Sequence, residues 1–140
     1  MVCMDTNVVI DFLKGKTTVT NKISSLEKEG YEFTISPITV YEVLFGSRFY
    51  NPKEISQVEQ FFDSLTILDF NYECANVASI IHSTSMQAGR DIGVMDSLIA
   101  ATAWIHDEQM LTNDNHFNVI NSLGMEIREE NFILGIISTK

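Results

Sequence analysis

Met1-Val-Cys-Met-Asp-Thr-Asn-Val-Val-Ile-Asp-Phe-Leu-Lys-Gly15 joins a short apolar run to an acid and then to a helical pattern. Four apolar residues in a row do not distinguish a strand from a helix. Asp5-Thr6-Asn7, however, is a helix start, and Val8, Val9, Phe12 and Leu13 then recur at helical spacing, which leaves Val2 to Met4 as a buried strand. Asp5 therefore stands at a strand-to-helix turn. In open parallel α/β sheets the carboxyl ends of the strands form the ligand crevice, so an acid there is where chemistry would sit. Asp, Thr and Asn are also favoured helix caps, and this stretch alone leaves both roles open.

A chain of 140 residues, 45% hydrophobic and 20% charged, has the composition of an ordinary soluble domain. It is expected to form one unit over 1-140, burying roughly two-thirds of its unfolded surface. Two cysteines, Cys3 and Cys74, both fall in apolar patterns and read as buried thiols suited to a reducing cytoplasm. No basic region followed by a long apolar run opens the chain, so the expectation is a cytoplasmic protein without a leader or membrane span. The late run Phe132-Ile-Leu-Gly-Ile-Ile137 is too short to cross a bilayer and suggests a terminal strand or a subunit contact. A formal net charge of −10 counts against a simple nucleic-acid binder.

Val19, Ile23 and Leu26 give a helix ended by Gly30, and Phe33-Thr-Ile35 a second strand. Ser36-Pro37 sets a cap and a first helical position for a helix running to about Phe49. Glu42 interrupts the apolar run Val40, Tyr41, Val43, Leu44, Phe45 of that helix. The helix looks buried, and a buried charge needs a partner. Ile55, Val58, Phe62 and Leu65 mark a further helix before a strand at Thr66-Ile-Leu68, with Asp69 as a cap. A helix from Tyr72 to Met86 follows, then a loop through Arg90 and Asp91. The helix from Met95 to Ile105 is apolar nearly all round, with Asp96 in its first turn. Gln109-Met-Leu111 is a fourth strand leading to Thr112-Asn113-Asp114, and Met125-Glu-Ile127 reads as a fifth. Short strands alternating with helices predict an α/β fold, a three-layer α/β/α sandwich around a parallel sheet.

Asp5, Glu42, Asp96 and Asp114 each break an apolar context at one end of that sheet. Two carboxylates ~4 Å apart repel by about 4 kcal/mol at an effective dielectric near 20, so such a set calls for protons or a cation. All-oxygen ligands select Mg²⁺ or Mn²⁺ and suit phosphate substrates, the pattern of acidic phosphodiesterases.

Met4-Asp-Thr-Asn-Val-Val-Ile-Asp-Phe-Leu-Lys-Gly15, Ser36-Pro-Ile-Thr-Val-Tyr-Glu-Val43, Gly89-Arg-Asp-Ile-Gly-Val-Met-Asp-Ser-Leu-Ile-Ala-Ala101 and Leu111-Thr-Asn-Asp-Asn-His-Phe117 resemble, in order, the motifs of PIN-domain ribonucleases, specifically VapC-like toxins. The resemblance implies that Asp5, Glu42 and Asp96 are metal ligands and that Asp114 is the fourth acid, with Asn113 as the alternative oxygen. Thr6, Asn7, Thr112 and Asp91 would support the site. It also implies cleavage of RNA with Mg²⁺ or Mn²⁺, silencing by a small antitoxin with a basic segment, and a homodimer. The antitoxin is expected on apolar surface around Phe45, Phe49, Phe61 and Phe62. Four of the excess charges would then lie in the metal site, with Lys14, Lys16, Arg48, Lys53 and Arg90 in loops around it.

Other readings fit less well. A haloacid-dehalogenase phosphatase needs a second acid at position 7, where Asn7 stands, and a receiver domain needs a Lys after its last strand. His82, His106 and His116 lack zinc-site spacing and read as surface or helix-end residues. A PIN-fold binding module without turnover, or a housekeeping nuclease, remains as the rival.

Overall fold

The structure, a computed structural model, describes residues 1–122 and 133–135. Five strands form one parallel sheet: β1 (Val2–Met4), β2 (Phe33–Ile35), β3 (Thr66–Ile67), β4 (Gln109–Thr112) and β5 (Ile133–Gly135), in the order β3-β2-β1-β4-β5. The first strand is thus the middle one. Its residues alternate between the two faces, as strand geometry dictates. Cys3 and Met110 join the core formed with helices α5 (Tyr72–Gln87) and α6 (Val94–Ile105), where Ile81, Ile99 and Phe117 are buried. Val2, Met4 and Leu111 join the opposite core with α1 (Thr6–Leu13), α2 (Thr17–Lys28), α3 (Pro37–Tyr50) and α4 (Ile55–Asp63). The sheet lies between two helical layers, as the alternation of elements predicts.

The local signals act as expected at most boundaries. Ser36 accepts backbone N–H bonds from Ile38 and Thr39, with Pro37 opening α3. α6 is the most buried helix, with Ile99, Ala100, Ala101 and Ala103 fully enclosed, because small residues allow close packing on both sheet and α5. α5 is capped by Asn71, whose side chain accepts from the Cys74 N–H, rather than by Asp69. The Asp69 carbonyl is instead engaged by the His106 ring at the end of α6.

Several expectations need correction. α3 is buried only at Thr39 and Val43; Tyr41, Phe45, Phe49 and Tyr50 face solvent. Its run of apolar residues therefore marks an exposed face, on which the rings of Tyr41, Phe45 and Phe49 stack with centroids 6.0 and 5.8 Å apart. Phe62 is buried and cannot belong to a docking surface, while Phe61 is half-buried beside it. Strand β3 is shorter than expected and exposed, since it lies at the sheet edge. The suggested strand at Met125 to Ile127 lies outside the described residues, and Ile133–Gly135 of the late apolar run pairs in parallel with β4. Among the described residues no helix is long and apolar enough to cross a membrane.

Candidate functional site

Asp5 leaves β1 at its carboxyl end, where the Asp5 N–H still donates to the Leu111 carbonyl of β4 at 3.0 Å. Its carboxylate is nearly enclosed, at 2% exposure. One oxygen accepts from the Thr6 N–H at 2.7 Å and the other from the Thr112 hydroxyl at 2.8 Å. The two roles left open by the sequence coexist: Asp5 starts helix α1 and lies in the crevice above the sheet.

Thr112 is the last residue of β4 and orients two acids at once. Its Oγ1 donates to Asp5 and accepts from the Asp114 N–H at 3.0 Å. Thr6 does the same on the other side. Its hydroxyl donates to Glu42 Oε1 at 2.6 Å and lies 3.1 Å from the Thr39 hydroxyl, so Glu42 finds its partner across helices α1 and α3. Thr39 was not singled out from the sequence; its place one turn before Glu42 was the available signal.

Asp96 enters through the first turn of α6. The turn before it is built on Gly93, whose φ of 86° favours glycine, and whose N–H donates to Asp91 Oδ1 at 2.8 Å. Asp91 also holds the His82 ring at 3.0 Å, so it helps to shape this loop. Asn7 and Asn113 are exposed.

Burial pushes the Asp5 carboxyl up to about 7, with the charges of Asp96 and Asp114 adding to the rise and the Thr112 and Thr6 hydrogen bonds opposing it. Asp96 and Asp114 therefore both act on Asp5, and Glu42 is joined to Asp5 through Thr6. Among the described residues no group of three or more His, Cys, Asp and Glu side chains is drawn together closely enough to hold a metal ion by itself. The donors are nonetheless all oxygen, and the perturbed Asp5 carboxyl marks a crevice short of positive charge. That chemistry fits a hard cation such as Mg²⁺, which takes one or two carboxylates and keeps several waters.

The expected basic rim is only partly placed. Lys16 is paired with Asp11 at 3.3 Å, and Arg48, on α3 rather than in a loop, with Glu59 at 3.6 Å. Arg90 lines a cleft with Asp91 and Asn115.

A parallel sheet with strand-end acids gathered at one edge is the arrangement of a PIN domain, and the chain belongs to that family: the PIN domain model matches residues 2–123. The chain is 28% identical over 124 residues to Ribonuclease VapC19 of Mycobacterium tuberculosis, covering 88% of this chain and 97% of that protein. Over 132 residues it is 28% identical to Ribonuclease VapC2 of Haemophilus influenzae, covering 93% and 96%. The fold is similar to that of VapBC2 from Rickettsia felis bound to a DNA fragment from their promoter, with a TM-score of 0.78, 24% identity and coverage of 96% and 98%.

Proposed function

We propose that the chain is a Mg²⁺- or Mn²⁺-dependent endoribonuclease and the toxin of a toxin-antitoxin pair. The observation that carries this reading is the buried Asp5 carboxyl, raised to about 7 beside Asp96 and Asp114 at the carboxyl edge of the sheet. The VapC names of its relatives and the VapBC complex among its structural neighbours support the ribonuclease and its partner. A divalent cation bound there would activate water and stabilise charge on the phosphate oxygens. Asp5, Glu42 and Asp96 would hold it, and Asp114 would complete the set. Thr112 and Thr6 fix the carboxylates of Asp5 and Glu42 in advance, so little reorganisation is needed when RNA arrives.

The partner is a small antitoxin whose basic segment answers the net charge of −10. Between α1, α2 and α4 lies a cleft of about 550 Å³ lined by Phe12, Ile23, Tyr31, Phe61 and Leu65, with Glu27 and Glu32 also on its wall. It suits an apolar segment flanked by Lys or Arg. The protein works as a homodimer in the cytoplasm.

Purified protein incubated with labelled RNA and Mg²⁺, Mn²⁺ or chelator tests the activity. Cleavage should require metal and vanish in Asp5→Ala and Asp96→Ala, whereas Asp114→Ala should lose less. Full activity in Asp5→Ala with unchanged circular dichroism would overturn the site. Expression with and without the product of the adjacent reading frame tests the toxin role: unimpaired growth alone and no copurifying partner would leave a housekeeping nuclease or a binding module.

A further inference from the structure

Helix α3 opens at Ser36-Pro37, which puts Thr39 and Glu42 three residues apart and so side by side on one face of the helix. Thr39 is fully buried there, against the first turn of α1. A threonine within a helix can return its hydroxyl proton to the carbonyl one turn back. Thr20 and Thr102 do so, donating to the carbonyls of Lys16 and Leu98 at 3.0 and 2.7 Å. The Thr39 hydroxyl instead crosses between helices to Thr6 Oγ1 at 3.1 Å.

A hydroxyl has one proton to give and two lone pairs with which to accept. The Thr6 proton is committed to Glu42 Oε1 at 2.6 Å. In the contact between the two threonines, Thr39 must therefore be the donor. The protons run in one direction, from Thr39 to Thr6 to Glu42, leaving α3, crossing to α1 and returning to α3.

We propose that Thr39 is a positioning residue for the metal site, acting on Glu42 through Thr6. This rests on the reading of Glu42 as a ligand of the divalent cation. With its oxygen held from behind by Thr39, Thr6 keeps one direction in which to donate, and each bond in such a chain strengthens the next by roughly 10–30%. The other side of the crevice is built alike: the Thr112 hydroxyl donates to Asp5 at 2.8 Å while its oxygen accepts from the Asp114 N–H at 3.0 Å. Asp5 and Glu42 are thus each held by a threonine whose own oxygen is fixed by a second donor.

Isothermal titration calorimetry of the full chain with Mn²⁺, together with urea unfolding in EDTA, tests this. Thr39→Val keeps the volume and removes the donor. Loss of a direct partner of a metal ligand costs roughly 10- to 100-fold, so loss of the donor behind that partner should weaken Mn²⁺ binding about fivefold. Thr39→Ser keeps the donor but gives up a buried methyl, so it should lower the urea midpoint while retaining the wild-type Mn²⁺ affinity. The effect should also disappear once Thr6 is gone: Thr6→Val and the double variant should bind Mn²⁺ equally, which a packing role for Thr39 would not produce. Should Thr39→Val not fold, Thr39→Ala takes its place with the same expectations. Wild-type affinity in Thr39→Val, or the same loss from it with and without the Thr6 hydroxyl, would overturn the relay and leave the metal site standing. A wild type that binds no Mn²⁺ would overturn the relay and the metal-dependent reading together.

Discussion

The Thr6 hydroxyl donates to Glu42 Oε1 at 2.6 Å, tying the first turn of α1 to the second turn of α3. This one bond links the acid on the first strand to an acid 37 positions later, through the residue that follows Asp5. Thr6→Val keeps the shape and removes the donor. Partners that orient metal ligands are worth roughly 10- to 100-fold, so cleavage should fall by about that factor in Thr6→Val and be largely retained in Thr6→Ser. Equal rates in Thr6→Val and wild type, measured at saturating Mg²⁺, would remove Thr6 from the site.

The Asp5 carboxyl gives the metal-free protein a pH-dependent stability. Burial raises it to about 7 from an ordinary 3.8, so between about pH 4 and 7 the folded state holds a proton that the unfolded state has released. Stability should therefore fall as pH rises through that window and level off above it. Urea midpoints in EDTA should show this decline in the wild type and not in Asp5→Asn. Parallel profiles for the two proteins would contradict it.

Divalent metal should reverse that loss. A cation at a hundredfold excess over its dissociation constant stabilises the folded state by about 2.7 kcal/mol. Melting temperature should rise with Mg²⁺ or Mn²⁺ in the wild type and much less in Asp96→Asn. A wild-type melting curve indifferent to both ions would sink the metal site.

The central strand carries a different buried group. Cys3 is fully enclosed, and its thiol is pushed up to about 12 by burial, with the charge of Glu108 adding to the rise. Glu108 is itself buried and accepts from the Thr34 hydroxyl. Since the thiolate is the nucleophile, iodoacetamide at pH 8 should leave Cys3 unlabelled in native protein and modify it in urea. Peptide mass spectrometry showing rapid native labelling would place Cys3 in a more open position.

Most of the layer order, and the place of Asp5 at a strand-to-helix turn, were legible because they depend on local signals. Asp5-Thr6-Asn7 combines a strand end with a helix start, and Ser36-Pro37 fixes where α3 begins. What the sequence hid were relationships across elements. Val40 to Phe45 read as a buried helix because apolar residues at successive positions do not reveal which neighbours cover them. The α3 partner layer covers only the Thr39 and Val43 side. Glu108 sits in the polar stretch His106 to Glu108 just before β4; only the pairing of β1 with both β2 and β4 encloses it beside Thr34. Likewise, Thr112 is one polar residue after a strand until that register brings its hydroxyl to Asp5.

The middle position of β1 has a meaning for how the protein is made. The ribosome delivers Asp5 well before Thr112, its hydrogen-bond partner, which is 107 residues further on and near the end of the PIN-matching region. β2 can flank β1 early, while the other side stays open until β4 is complete. Such a long-range closure is slow, since its chain entropy is lost before the contact is gained. A stalled or truncated chain lacking β4 would hold Asp5 and Glu42 without Thr112 or Asp114, and so would lack the assembled crevice. The crevice that joins Asp5 to Thr112 and Asp114 therefore forms late, whatever the order in which the helices around it settle.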